Sequence, residues 1–85
     1  MKAQVFVVKQ AQDQIACLRD DLQAKALDRI GRINTVESFL AHSKPIGESP
    51  LGEVRRFRAG RFVRILAAVD HDMVTVVGIG LRPTT

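Results

Sequence analysis

The spacing of apolar residues changes from helical to alternating about half-way along the chain. A short run rich in β-branched residues, Gln4–Val8, predicts a first strand. Apolar residues then recur every three or four positions, which places them on one side of a helix. They form one stripe at Ala11, Ile15, Leu18 and Leu22 and a second stripe at Leu27, Ile30, Ile33, Val36 and Leu40. The two stripes predict a helical hairpin or one bent helix, with Asp20 or Asp21 as a cap where the second begins.

The second half of the chain predicts a loop and then a sheet. Residues His42–Gly52 are rich in Pro, Gly and Ser and have neither helical nor strand spacing, so we expect a loop. Three strand-like runs follow, at Glu53–Arg58, Arg61–Val69 and Met73–Leu81, with turns at Ala59-Gly60 and at Asp70-His71-Asp72. The predicted fold is α+β: an N-terminal strand, a helical hairpin and a three-stranded antiparallel meander, with the helices on one face of the sheet. Residues 1–85 are expected to form a single domain.

Alternation along the predicted strands separates an apolar face from a basic one. Val63, Ile65, Ala67 and Val69 share one wholly apolar face, which should pack on the helices. Arg64 must then point away from the core. Alternation also places Arg56 and Arg58 on one face, and Arg82 ends the last strand. We therefore expect one basic surface formed by Arg56, Arg58, Arg64 and Arg82.

The charge of the chain is concentrated where these strands lie. Residues 1–54 carry seven Lys or Arg and seven Asp or Glu, whereas residues 55–85 carry six Arg and two Asp. The whole net charge of +4 therefore falls in the last third. Guanidinium groups bind phosphate and carboxylate in a bidentate manner, so the cluster indicates nucleic acid or an acidic protein segment as partner. A solvated sheet face with no partner is the alternative.

The composition of the chain indicates its cellular compartment and restricts the kinds of site that it can contain. Cys17 is the single cysteine, so no internal disulfide can form, and this suits a reducing compartment. No apolar stretch is long enough to cross a bilayer and no secretory signal pattern is present, so we expect a cytoplasmic protein without membrane contact. The two histidines and Cys17 lack metal-site spacing, and we expect neither a metal nor a cofactor.

The residues offer electrostatic catalysis more readily than acid–base catalysis. Arginine does not deprotonate in proteins, but it stabilises the charge that develops when a phosphodiester is attacked. The nucleophile could be the 2′-hydroxyl of an RNA substrate. Asp70 and His71 are adjacent but occupy a predicted turn, and Gly78 and Gly80 predict a bulge or a close approach of backbones.

The segment 55–66, R-R-F-R-A-G-R-F-V-R-I-L, resembles the RelE/ParE family of bacterial toxins from toxin–antitoxin pairs. The positions that match the family's pattern are Arg56, Arg58, Gly60 and, in place of its first tyrosine, Phe62. Pro50-Leu51-Gly52 is similar to the family's lead-in to this strand, and the predicted order of elements is also the family's. The resemblance covers nearly the whole chain and implies a RelE/ParE-like fold.

The resemblance implies a toxin that inhibits translation by ribosome-dependent mRNA cleavage. It implies catalytic roles for Arg56, Arg64 and Arg82 and nucleic-acid contacts for Arg55, Arg58 and Arg61. The implied partners are a cognate antitoxin, the ribosome and mRNA, with DNA contacted only through the antitoxin.

Two departures from the family pattern leave alternatives to mRNA cleavage open. Val63 stands where the family has an arginine, so Arg64 replaces that arginine only if a bulge restores its direction. No tyrosine follows Arg82. The alternatives are a ParE-like inhibitor of DNA gyrase without catalytic activity and an inactive family member that binds antitoxin.

Overall fold

The computed structural model describes residues 1–81, which form a mixed sheet of five strands and three helices. In chain order the elements are β1 (Gln4–Val7), α1 (Lys9–Ala16), α2 (Asp20–Gly31), α3 (Val36–Ala41), β2 (Lys44–Ser49), β3 (Gly52–Ala59), β4 (Val63–Asp70) and β5 (Met73–Leu81). The spatial order of the strands is β1-β5-β4-β3-β2, and β1 pairs parallel to β5 while all the other pairs are antiparallel. The predicted α+β fold, with helices on one face of the sheet, is confirmed.

The segment expected to be a loop contains a strand. Lys44–Ser49 forms β2, which pairs antiparallel with β3 and extends the predicted three-stranded meander to four strands. The prediction was wrong because Pro and Gly are tolerated on an edge strand, where one side of the backbone needs no ladder partner. Ile46 has no partner in the register, so it forms a bulge between Pro45 and Gly47.

The second helical stripe is divided between two helices. α2 ends at Gly31, and α3 begins at Val36 after Thr35, whose Oγ1 accepts a hydrogen bond from the backbone N–H of Ser38 at 3.1 Å. This cap starts a new helix, whereas glycine has a low propensity to continue one. Neither aspartate caps α2: Arg19 occupies the cap position, and Asp20 and Asp21 lie in the first turn.

The apolar core lies between the helices and one face of the sheet. Its most deeply buried large side chains are Val63, Ile65, Val74 and Val76, all from β4 and β5. The helices contribute Ala11, Ile15, Leu22, Ala26, Ile30 and Phe39. The predicted apolar face of β4 is thus confirmed. Two members of the second predicted stripe, Leu27 and Leu40, are exposed instead, because their helix neighbours Ala26 and Phe39 are the buried residues.

The turns between the strands lie where the sequence predicts them, and each contains a residue with positive φ. Gly60 adopts a positive φ of 69° in the connection from β3 to β4, and β4 begins at Val63, two residues later than predicted. His71, in the predicted turn between β4 and β5, has a φ of 54°. The register of β4 with β5 shifts beside Gly78, which confirms the predicted bulge. Over residues 1–81, no helix has the length and apolar character that a bilayer span requires.

Candidate functional site

Arg56 and Arg64 lie on the face of the sheet opposite the helices. Phe57 and Val63, their neighbours in sequence, are buried in the core at 3% and 1% exposure. Alternation therefore directs both arginines to the open face, as predicted. No bulge is needed to direct Arg64, because the register shift of β4 lies beyond it, between Leu66 and Ala67. That Arg64 replaces the arginine of the family pattern stays a prediction.

The two arginines share a surface depression, which we call the arginine hollow. It has a volume of about 380 Å³ and is lined by Gln14, Ile46, Arg56, Arg64, Leu66 and the end of β5 from Gly78 to Leu81. Gly80 is the register partner of Arg64, and Gly78 is the partner of Leu66. Because these glycines have no side chain, β5 leaves open space beside both positions of β4. The lining contains two guanidinium groups and no carboxylate.

The charge of the arginine hollow is not balanced within the part of the chain described here. Among residues 1–81, Arg56, Arg58 and Arg64 form no ion pair. Arg58 and Arg64 are direct register partners, and like charges facing each other across a ladder are destabilising. The Nε of Arg64 is buried and has no hydrogen-bond partner in this range. A bound oxyanion in the hollow would offset the repulsion between the guanidinium groups.

Arg58 and Arg61 lie outside the lining of the hollow. Arg58 is exposed on the open face. Arg61 is exposed in the turn between β3 and β4, and its guanidinium carbon lies 5.9 Å from the ring centroid of Phe62. Phe62 is itself 38% exposed, so an arginine and an aromatic ring are presented together at the tip of this turn. Such a pair suits contacts with a nucleic-acid backbone and an unstacked base.

Arg55 points to the helix side and is held by internal partners. Its side chain is only 12% exposed and forms an ion pair with Glu53. Its Nε donates to Ser43 Oγ at 2.7 Å, and one terminal nitrogen donates to the carbonyl oxygens of Ser43, at 2.9 Å, and Leu40, at 3.2 Å. These bonds tie the end of α3 to β3. The structure therefore separates Arg55 from the other arginines of the cluster.

We expect Arg55→Ala to lower the free energy of unfolding by about 2–4 kcal/mol, because it leaves Glu53 and two carbonyl groups without their donor. Arg58→Ala is the control, and a change within about 0.5 kcal/mol is expected for this exposed residue. Urea unfolding followed by circular dichroism measures both. If Arg55→Ala is as stable as the control but loses RNA binding, Arg55 is a nucleic-acid contact as the sequence resemblance implies.

The remaining candidate residues lie away from the hollow or beyond the described range. Arg82 falls in residues 82–85, which lie outside the described part of the chain. Asp70 is the last residue of β4 and His71 lies in the turn that follows, at the end of the strand away from the hollow. His42 follows α3, where its Nδ1 lies 2.9 Å from the carbonyl oxygen of Ser38. Within residues 1–81, no three His, Cys, Asp or Glu side chains are grouped closely enough to hold a metal ion.

Gln14 and Ile46 are among the residues of the hollow that were missed by reasoning from sequence. Ile46 was assigned to a loop, and Gln14 was one polar residue of an amphipathic helix. Ile46 is brought in by the β2 bulge, and Gln14 by a hydrogen bond from the backbone N–H of Ile79 to its Oε1 at 2.7 Å. A polar residue beside an apolar stripe carries no signal of such a contact, since the partner is 65 residues away.

Comparison with solved structures identifies the fold. A chain of the toxin–antitoxin complex RelBE2 from Mycobacterium tuberculosis superimposes with a TM-score of 0.76, covering 96% of this chain and 100% of the other at 19% sequence identity. The chain has the RelE fold. A chain of the archaeal RelE–RelB complex from Pyrococcus horikoshii matches with a TM-score of 0.68 at 14% identity, covering 100% of both chains. No protein-family model and no curated protein sequence matches this chain.

The fold places the arginine hollow on the uncovered face of the sheet. The four antiparallel strands form a continuous surface that the helices leave uncovered, and both Arg56 and Arg64 stand on it. The fold predicted from the arginine-rich segment is thus confirmed, while the roles of the individual arginines remain predictions. What the arrangement offers chemically is a group of fixed positive donors beside open space, which suits a phosphate group.

Proposed function

We propose that this chain is the toxin of a toxin–antitoxin pair and that it inhibits translation by cleaving mRNA on the ribosome. The observation that carries the proposal is the arginine hollow, where two guanidinium groups line one depression without a carboxylate and the buried Nε of Arg64 has no partner among residues 1–81. The RelE fold and the resemblance of the segment 55–66 to RelE/ParE toxins support it. The proposed setting is the cytoplasm.

In this proposal, Arg56 and Arg64 hold the scissile phosphate. Their charges stabilise the negative charge that develops when the 2′-hydroxyl of the RNA attacks the adjacent phosphorus. The attack forms a 2′,3′-cyclic phosphate as the P–O bond to the 5′-oxygen of the next nucleotide breaks. The 2′-hydroxyl releases its proton to water and the expelled 5′-oxygen takes one up from water, so no protein nucleophile is required. Arg58 and Arg61 contact the RNA backbone on either side. Arg82 is proposed to join the same surface.

The proposed partner is an antitoxin with an acidic segment. The solved complex from Mycobacterium tuberculosis is a toxin–antitoxin complex, and the one from Pyrococcus horikoshii is a complex of RelE with RelB. An acidic segment laid across the open face would offset the repulsion between Arg58 and Arg64 and cover the exposed hollow. Contact with DNA is then made through the antitoxin.

A second candidate function is inhibition of DNA gyrase by binding alone. It is favoured by one observation: within residues 1–81 the hollow is lined by no His, Asp, Glu or Tyr that could act as general acid or base. A chain that binds through its arginines and catalyses nothing would have this lining. An inactive protein that only binds antitoxin would likewise need no general acid or base in this lining.

Induction of the protein in a sensitive bacterial host distinguishes these functions. We expect growth arrest together with new mRNA 5′ ends, mapped by primer extension, that are absent when Arg64→Gln is induced. Growth arrest without new 5′ ends, but with loss of supercoiling by purified gyrase, would replace the first function with the second. Continued growth of cells that contain the folded protein would contradict both and leave the antitoxin-binding role.

A further inference from the structure

Gln14 occupies the place where β5 loses its neighbouring strand. The parallel pairing of β1 with β5 ends at Val7 and Val76, and one more backbone bond joins Val8 N–H to the Val76 carbonyl at 3.1 Å. β5 continues to Leu81 while the chain of β1 turns into α1. On this uncovered edge, the N–H of Ile79 donates to Gln14 Oε1 at 2.7 Å. A side chain on α1 thus replaces a missing strand at one position of the ladder.

This hydrogen bond determines which end of the carboxamide remains available. A backbone N–H can only donate, so the atom that receives it is the carboxamide oxygen, and the nitrogen keeps two donor hydrogens. Gln14 Nε2 donates to no other residue within 1–81, whereas the Nε2 of its helix neighbour Gln12 donates to the carbonyl oxygen of Val7. The donor end of Gln14 is therefore not used by the fold.

The same side chain forms part of the wall of the arginine hollow. Gln14 lines the hollow together with Arg56 and Arg64. Its Oε1 lies 3.8 Å from the position that a Cβ atom on Gly78 would occupy. The amide group is half-buried and held at its oxygen, so it is a pre-oriented donor that adds no charge. The donors of the hollow are thus two guanidinium groups and one amide, a set that matches a ligand with acceptors only.

We propose that Gln14 is a substrate-positioning residue, whose Nε2 donates to a non-bridging oxygen of the RNA phosphate held by Arg56 and Arg64. The proposal rests on the RNA-binding function proposed above and adds a specific contact to it. Its oxygen anchors the edge of β5, and its nitrogen orients the phosphate. A single side chain therefore couples the position of the sheet edge to the position of the substrate.

The variant Gln14→Glu separates the two roles. Its carboxylate still accepts from the N–H of Ile79, so the midpoint of thermal unfolding should stay within about 3 °C of the unchanged protein. It loses the donor and brings a negative charge to the phosphate, so the Kd for a labelled single-stranded RNA should rise by about 10-fold or more. Fluorescence anisotropy with the purified full chain measures binding.

Gln10→Glu is the matched control, because Gln10 lies one turn earlier on the same helix, is exposed and does not line the arginine hollow. It makes the same change of net charge, and its Kd should stay within about twofold of the unchanged protein.

Gln14→Met supplies a neutral second variant of similar length. It removes both hydrogen-bonding ends, so it should lower the unfolding midpoint and also weaken RNA binding.

Three results would overturn the inference, and they are distinguishable. If the unchanged protein binds no RNA, the proposed function fails and the role of Gln14 fails with it. If the unchanged protein binds RNA and Arg64→Gln binds weakly, but Gln14→Glu binds as tightly as the unchanged protein, only the role of Gln14 fails. If Gln14→Glu and Gln10→Glu weaken binding equally, the effect is one of net charge and Gln14 makes no contact.

Discussion

Arg64→Gln is expected to weaken binding of single-stranded RNA by about 10- to 100-fold, since charge-assisted hydrogen bonds contribute about 1.5–3 kcal/mol. It is also expected to leave the protein at least as stable as before. Arg64 faces Arg58 directly, and its buried Nε has no partner among residues 1–81, so the folded chain gains little from this guanidinium. Loss of binding with no loss of stability is the pattern of a ligand-binding residue.

Anisotropy titrations at several salt concentrations measure this effect together with its electrostatic part. Removal of one phosphate contact should reduce the slope of log Kd against log salt by about 1. Arg32→Gln is the matched control: it makes the same change of charge in an exposed arginine that follows α2 and pairs with Asp28 on the surface. The control should retain its RNA affinity within about threefold. Equal losses in the two variants would contradict a specific role for Arg64.

Gly52→Ala is expected to have the largest effect on stability, at about 3 kcal/mol or more. Gly52 starts β3 with a φ of 118°, a conformation that side chains rarely adopt. A Cβ atom at this position would lie 2.2 Å from the carbonyl oxygen of Val69 on β4. The clash is with backbone, so β3 and β4 would have to move apart. In a domain of 85 residues this should lower the midpoint of thermal unfolding by more than about 10 °C.

Gly60→Ala is the control for the conformational part of this effect. Gly60 also has a positive φ, of 69°, but an added Cβ would meet only the flexible side chain of Lys25, at 2.9 Å. We expect a loss of about 1 kcal/mol for Gly60→Ala, from backbone strain alone. Circular dichroism melts of the two variants give the comparison. Equal unfolding midpoints for the two variants would mean that the contact with the Val69 carbonyl does not affect stability.

Apolar spacing was sufficient to predict most of the fold, because burial depends on which side of an element a residue lies. The alternation of Val63, Ile65 and Ala67 identified the buried face of β4, and it placed Arg64 on the other face correctly. The strand at Lys44–Ser49 was missed, since an edge strand needs only one bonded side and little apolar character. The end of α2 at Gly31 was missed because the apolar spacing continues through Ile33 and Val36 in spite of the break.

The candidate site was predicted in part. The arginine-rich segment and strand alternation identified Arg56 and Arg64, which the structure brings together in one hollow. The family resemblance implied a nucleic-acid contact for Arg55, but in the structure its partners Ser43 and Leu40 are supplied by the end of α3 and the segment after it. The number of charged residues in a segment does not show which of their side chains are buried and hydrogen-bonded within the fold.

The sequence by itself determined the order of most elements, the apolar face of β4 and the concentration of charge in the last third, because these depend on local spacing and composition. Only the tertiary structure decided which arginines share a depression, which one serves the fold, and how Gln14 reaches the edge of β5. These depend on pairing between segments far apart in the chain. The register of the ladder and the packing of α1 against β5 set such pairings, and no local pattern encodes them.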